Sequence, residues 1–115
     1  MSTVNGAQLA QLRPSGTTTT TLFSASLRTE VTCIFIANTT TNTCAMSLYH
    51  DDDGSTFDET TALYFSKSVA ANDTVKIEAN SPGSGITVRA GGKIGVKSGV
   101  ANALTFSLYG ITEQR

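Results

Sequence analysis

The sequence has no tryptophan, one histidine, two cysteines and two prolines, and only 15% of its residues are charged. Each shortage removes a class of function. One histidine and two cysteines, Cys33 and Cys44, without a CxxC spacing do not make a zinc site. Lysine and arginine number 8 against 9 acidic residues, scattered along the chain, so no basic patch invites nucleic acid or an anionic membrane surface. No apolar run approaches the roughly 20 residues that cross a bilayer as a helix. The start, MSTVNGAQLAQLRPSG, lacks the charged head and apolar core of a secretory signal, which leads us to expect a soluble protein made in a cytosol.

What fills the space is hydroxyl: 19 threonines and 12 serines in 115 residues. Threonine is stiff at χ1 and serine competes for backbone hydrogen bonds, so both favour strands and turns over helices. The length suits one compact domain with its own core.

Alternation along the chain predicts about eight short strands and no helix. Residues 1–16 carry little periodicity and contain Pro14 and Gly16, so they read as an extended arm ahead of a folded body over 17–115. The threonine run 17–21 leads into Leu22 and Phe23. RTEVTCIFIAN (28–38) is apolar on both faces, as in a covered central strand. In 44–50, Met46 and Leu48 share one face while Ser47 and Tyr49 share the other. Residues 63–69 form the next strand, and after a turn at 71–73, Val75, Ile77 and Ala79 point inward. Ile86, Val88 and Ala90 resume that face, Gly91-Gly92 signals a tight hairpin, and Ile94 and Val96 return. Leu104, Phe106 and Leu108 close the chain's core. MSLY (46–49) and FSLY (106–109) share a local pattern, suggesting similar environments. The expected fold is all-β: a single antiparallel β-sandwich, jelly-roll-like, with about eight strands and an N-terminal arm.

The cysteines flank a turn-like segment, 38–43. They read either as a staple between neighbouring strands or as two small buried apolar residues in a reducing compartment, and the second is the expectation.

The most charged stretch is SLYHDDDGSTFDE (47–59), with five of the nine acidic residues and the only histidine. It fails as an EF-hand loop, because counting back from Gly54 puts Tyr49 at the first ligand and Thr60 at the twelfth. A looser calcium site on Asp51, Asp53 and Asp58 is the remaining metal reading, and neither metal nor cofactor is expected. His50 beside a carboxylate lacks a GxSxG-type nucleophile, and three solvated aspartates do not pull their pKa values apart, so no enzyme is expected. Residues 52–57, DDGSTF, follow D-x-G-x-T-F and resemble the Asp-box turn of β-propeller proteins such as sialidases. There the box is a hairpin feature. The reading is a solvated turn in which Asp carboxylates accept backbone N–H groups, Gly54 supplies the unusual φ, and Phe57 returns to the core.

The order of Leu12-Arg13-Pro14, a Thr-rich entry, EVTCIFIANTT, SLYHDDDGSTFDETTALY, VAANDTVKIEA, AGGKIGVKSG and NALTFSLYGI resembles small bacteriophage virion proteins, β-sandwiches of the decoration, cement or fibre type. The resemblance covers about residues 17–112. It implies a virion protein, made in a bacterial host's cytoplasm, that binds the major capsid protein of an assembled head and stabilises it, commonly as a trimer. A tail-associated or fibre-type protein is the alternative, and a soluble glycan- or calcium-binding module the third. No nucleic acid, membrane or small-molecule substrate is implied. The docking burden is expected on the arm, with Leu9, Leu12, Arg13 and Pro14 as anchors: two apolar residues three apart in a polar segment, able to order on a partner's surface.

Overall fold

The computed structural model describes residues 7–53, 56–78 and 86–112. In them lie nine strands: β1 (Ala7–Leu12), β2 (Thr20–Ser24), β3 (Thr29–Asn38), β4 (Cys44–Asp51), β5 (Ala62–Val69), β6 (Thr74–Glu78), β7 (Ile86–Val88), β8 (Lys93–Ser98) and β9 (Leu104–Thr112). Every pairing is antiparallel.

One sheet runs β1-β9-β3-β6, with β7 also on β3; the other runs β2-β8-β4-β5. β6 pairs with Cys33 to Ala37 and β7 with Thr29 to Val31, so together they form one interrupted strand along a single edge of β3. The chain changes sheet at every connection except β4 to β5 and β6 to β7. Two rows of four with this connectivity make a jelly roll, the expected fold with its strands now ordered.

The alternating positions explain why the sheets close on each other. Ile34 and Ile36 of β3, Met46 and Leu48 of β4, Ile94 and Val96 of β8, and Leu104, Phe106 and Leu108 of β9 are buried in one cluster between the sheets. The MSLY and FSLY segments do occupy matching places. Each lies on an inner strand of its sheet, with Met46 and Leu48 facing the core from one side and Phe106 and Leu108 from the other.

Four sequence expectations change. Residues 7–12 of the expected arm form edge strand β1, pairing with β9 from Ala7↔Gly110 to Leu12↔Phe106; residues 1–6 lie outside the described residues. Gly91-Gly92 is not a hairpin, because β7 and β8 belong to opposite sheets. The turn crosses between sheets, held by Gly91 N–H to Ala25 O (2.8 Å) and Ala25 N–H to Gly92 O (3.0 Å), and Gly91 alone of the pair has positive φ, 91°. Residues 39–43 likewise cross between sheets, which puts Cys33 and Cys44 on different sheets as free thiols. Ala90, expected inward, is exposed; Ala79 and Gly54 are outside the described residues.

The 38–43 crossing is tied by one side chain. Asn38, 2% exposed, donates from Nδ2 to Asn42 O (2.8 Å) and Val69 O (3.0 Å). Its Oδ1 accepts from Thr40 N–H (3.0 Å) and Thr40 Oγ1 (2.8 Å). A buried amide with four partners joins the crossing to the end of β5 and holds the two sheets in register there.

Candidate docking surface

The four anchors expected on the arm are held by the protein's own fold. Leu9 and Leu12 pack against the core cluster and Pro14 is buried. Arg13 stays exposed but donates through Nε to Asn102 O (3.2 Å) and through Nη2 to Thr39 Oγ1. Together with Asn102 N–H to Pro14 O (2.9 Å), this pins the chain after β1 to the β8–β9 turn. The structure therefore uses Arg13 and Pro14 in an internal clasp and leaves Leu9 and Leu12 half-buried against the core.

The acidic segment is a structured cap. Asp51 ends β4, and its carboxylate accepts Asp53 N–H at Oδ1 (3.0 Å) and Thr56 N–H at Oδ2 (2.8 Å). Those two backbone bonds, Asp53's the larger effect, hold the Asp51 carboxyl below its usual range. Asp58 is lowered too, by the Thr60 hydroxyl first and then the Thr60 N–H (2.9 Å). His50 Nε2 lies 2.8 Å from Asp52 Oδ1, and Arg89 reaches Asp53 at 2.6 Å and Asp52 at 3.8 Å. An Asp carboxylate does accept the turn's backbone N–H groups, but it is Asp51, one residue before the matched motif 52–57. Phe57 does not enter the core between the sheets. It folds onto the outer face of the β2-β8-β4-β5 sheet, its ring centroid 6.0 Å from that of Tyr49. Tyr49, an outward residue of β4, is for that reason only 2% exposed.

Among the described residues no group of three His, Cys, Asp or Glu side chains is arranged to hold a metal ion. Both oxygens of Asp51 already accept backbone N–H groups, and Asp52 and Asp53 face Arg89.

Large apolar side chains reach the surface on edge strand β5, where Leu63, Tyr64 and Phe65 are 46%, 36% and 53% exposed. From Leu63 to Ser68 every residue of the strand is exposed. The register with β4 accounts for this. Met46 pairs with Lys67 and Leu48 with Tyr64, then Tyr49 with Ala62, so β5 carries an extra residue twice over a few positions. Each bulge turns the strand and re-aims its side chains. Ser66, inside the first irregularity, has φ 53°, a left-handed conformation uncommon for serine, and its N–H is held by the buried Ser47 Oγ at 3.0 Å. Lys67 pairs with the core residue Met46, which puts a charge on the inward side of the edge. Bulges and an inward lysine block the pairing of another strand, so this edge meets a partner through side chains and not through its backbone ladder.

Next to the strip, Ala45, Ser47, Ser66, Lys97 and Gly99 line a shallow depression of about 120 Å³ in the same sheet's outer face. Val100, next in sequence to Gly99, is 50% exposed. Sequence reasoning placed residues 63–69 on a strand but missed the strip. The available signal was Leu-Tyr-Phe itself: three large apolar residues in succession followed by Ser-Lys-Ser do not fit a strand with one buried face.

No protein family model and no curated protein matches the chain. Among solved structures, that of infectious bursal disease virus, Gx strain, is similar at 16% identity and a TM-score of 0.36. The match covers 94% of this chain and 37% of that one, so the chain spans little more than a third of the protein it matches.

Proposed function

We propose that this protein is a non-enzymatic structural component of a virus particle, and within that class a decoration protein that docks on an assembled bacteriophage head. The observation that carries the reading is the strip Leu63, Tyr64 and Phe65 on the bulged edge of β5. Adjoining exposed apolar side chains of this size mark a protein contact. Two aromatic rings and a leucine supply the kind of anchors on which interfaces concentrate their energy.

Several further features support the same reading. The jelly roll recurs in viral capsid domains, although lectins and cupins share it, so the fold alone is an analogy. The resemblance of its phrases to phage virion proteins points the same way. Such a protein works by adhesion. Each copy buries its strip against shell subunits, and many copies on a repeating lattice turn modest contacts into a stabilised shell.

The test is a docking variant. Leu63→Ser with Phe65→Ser changes only exposed side chains, so the melting temperature is expected to stay near that of the parent. Binding to particles lacking the protein is expected to fall by about tenfold or more. Undiminished binding by a folded variant would remove the strip from the account.

A further inference from the structure

Ion pairing is unevenly shared between the sheets. On the β1-β9-β3-β6 sheet Lys76 pairs with Glu78 (3.5 Å), and Glu30 with Arg28 (3.3 Å). The other three lysines, Lys67, Lys93 and Lys97, form no salt bridge among the described residues, and all lie on the β2-β8-β4-β5 sheet. Asp58 and Glu59, exposed on the loop between β4 and β5, form no salt bridge there either.

The placement of these groups is complementary. Phe57 seats the loop over Tyr49 and Gly95 on the sheet's outer face. Two residues further along β4, Ser47 forms the floor of the depression, with Lys97 opposite it on β8. The Phe57 ring that seats the acidic loop and the lysine-edged hollow thus lie on one face, over Tyr49 and Ser47 of β4, about 7 Å apart at two residues of strand rise. A two-fold axis lying in the plane of that face, midway between them and perpendicular to the line that joins them, sets two copies face to face and carries each loop onto the other copy's hollow. Such an interface is self-complementary. Edge pairing through β5 is blocked by its bulges and by Lys67, so two copies do not meet through that edge's backbone.

We infer that this face is a self-association surface: two copies pair about a two-fold axis, with Glu59 and Asp58 of each against Lys97 of the other. The pairing does not depend on the virion role, since it concerns the free protein. It differs from the trimer that the family resemblance implies.

Sedimentation measurements on the full chain test it with two charge reversals, Lys97→Glu and Glu59→Lys, both at exposed positions whose folding is checked by thermal melting. The parent is expected to pair, less tightly at high salt because exposed charges are screened. Each variant alone faces like charge at both symmetric contacts, and its pairing is expected to weaken about a hundredfold, tenfold per contact. An equimolar mixture of the two variants regains opposite charge at both contacts and is expected to pair like the parent. A three-membered ring cannot alternate two variants, so recovery in the mixture separates the pair from a trimer. A parent that stays monomeric, variants that pair as the parent does, or a mixture that stays apart would each overturn the inference.

Discussion

The ring of Phe57 occupies the space where a side chain at position 95 would begin: a Cβ on Gly95 would stand 2.6 Å from Phe57 Cγ. The acidic loop can therefore close over β4 and β8 only because β8 has no side chain there. Gly95→Ala is expected to lift the ring from Tyr49 and destabilise the protein by about 1–3 kcal/mol, as overpacking does. Urea unfolding, with Tyr49 newly accessible to solvent, checks it. An unchanged midpoint would mean that the loop is not seated by this contact.

Asn38 offers a second test, at the opposite kind of site. Asn38→Ala strips partners from Asn42 O, Val69 O and Thr40 N–H while leaving the strands' apolar residues intact. A loss of about 2–4 kcal/mol is expected, because buried polar groups left unpaired cost far more than the net value of a bond. The chemical denaturation midpoint should fall with little change in slope.

The N-terminal strand makes a truncation diagnostic. Had residues 1–16 been a free arm, removing 1–12 would leave the fold untouched. With Ala7–Leu12 paired to β9 and Leu9, Ala10 and Leu12 packed on the core, the same deletion is expected to lower the melting temperature markedly. Lost particle binding in such a truncation would report damaged structure and not a lost anchor.

Asp51 sets a pH dependence whose sign follows from its bonds. Two backbone N–H groups favour its charged form in the folded state, so its carboxyl ionises more readily folded than unfolded. Its contribution is present above the unfolded carboxyl value, about 3.9, and is lost as pH falls through the lower folded value. An NMR titration should place Asp51 below a free aspartate. Asp51→Asn should flatten the acid limb of the stability profile, and an ordinary titration curve for Asp51 would contradict the cap.

The two thiols should respond differently to alkylation. Burial pushes the Cys33 thiol up, opposed by nearby Lys76 and reinforced by Glu78, so Cys33 should react slowly and faster as pH rises. Cys44 is buried in the core and should react only on unfolding. Modification of both at equal rates in the native protein would mean that the core opens readily.

Much of the fold was legible in the sequence because one period, two, governs most of it. Met46 and Leu48, Ile94 and Val96, and Leu104, Phe106 and Leu108 announce their inward face by alternation, and all are buried. What the pattern could not carry was which sheet a strand joins. Gly91-Gly92 and residues 39–43 have the composition of hairpin turns, yet both cross between sheets, because turn chemistry fixes local φ and not the partner of the next strand. β1 was hidden for a different reason: as an edge strand it alternates weakly, and its leucines pack only in part. The docking strip was missed because bulges break the relation between sequence parity and face, and a bulge built on Ser66 instead of glycine leaves no mark in the composition.

The proposed role puts this protein in virus particles, and the most direct test is its copy number in purified particles from a host culture that produces it, measured by quantitative mass spectrometry against the major shell protein. A decoration role predicts hundreds of copies, in simple proportion to the shell subunits. A handful of copies would move the protein to a tail or a single vertex, and absence from the particle would contradict the account.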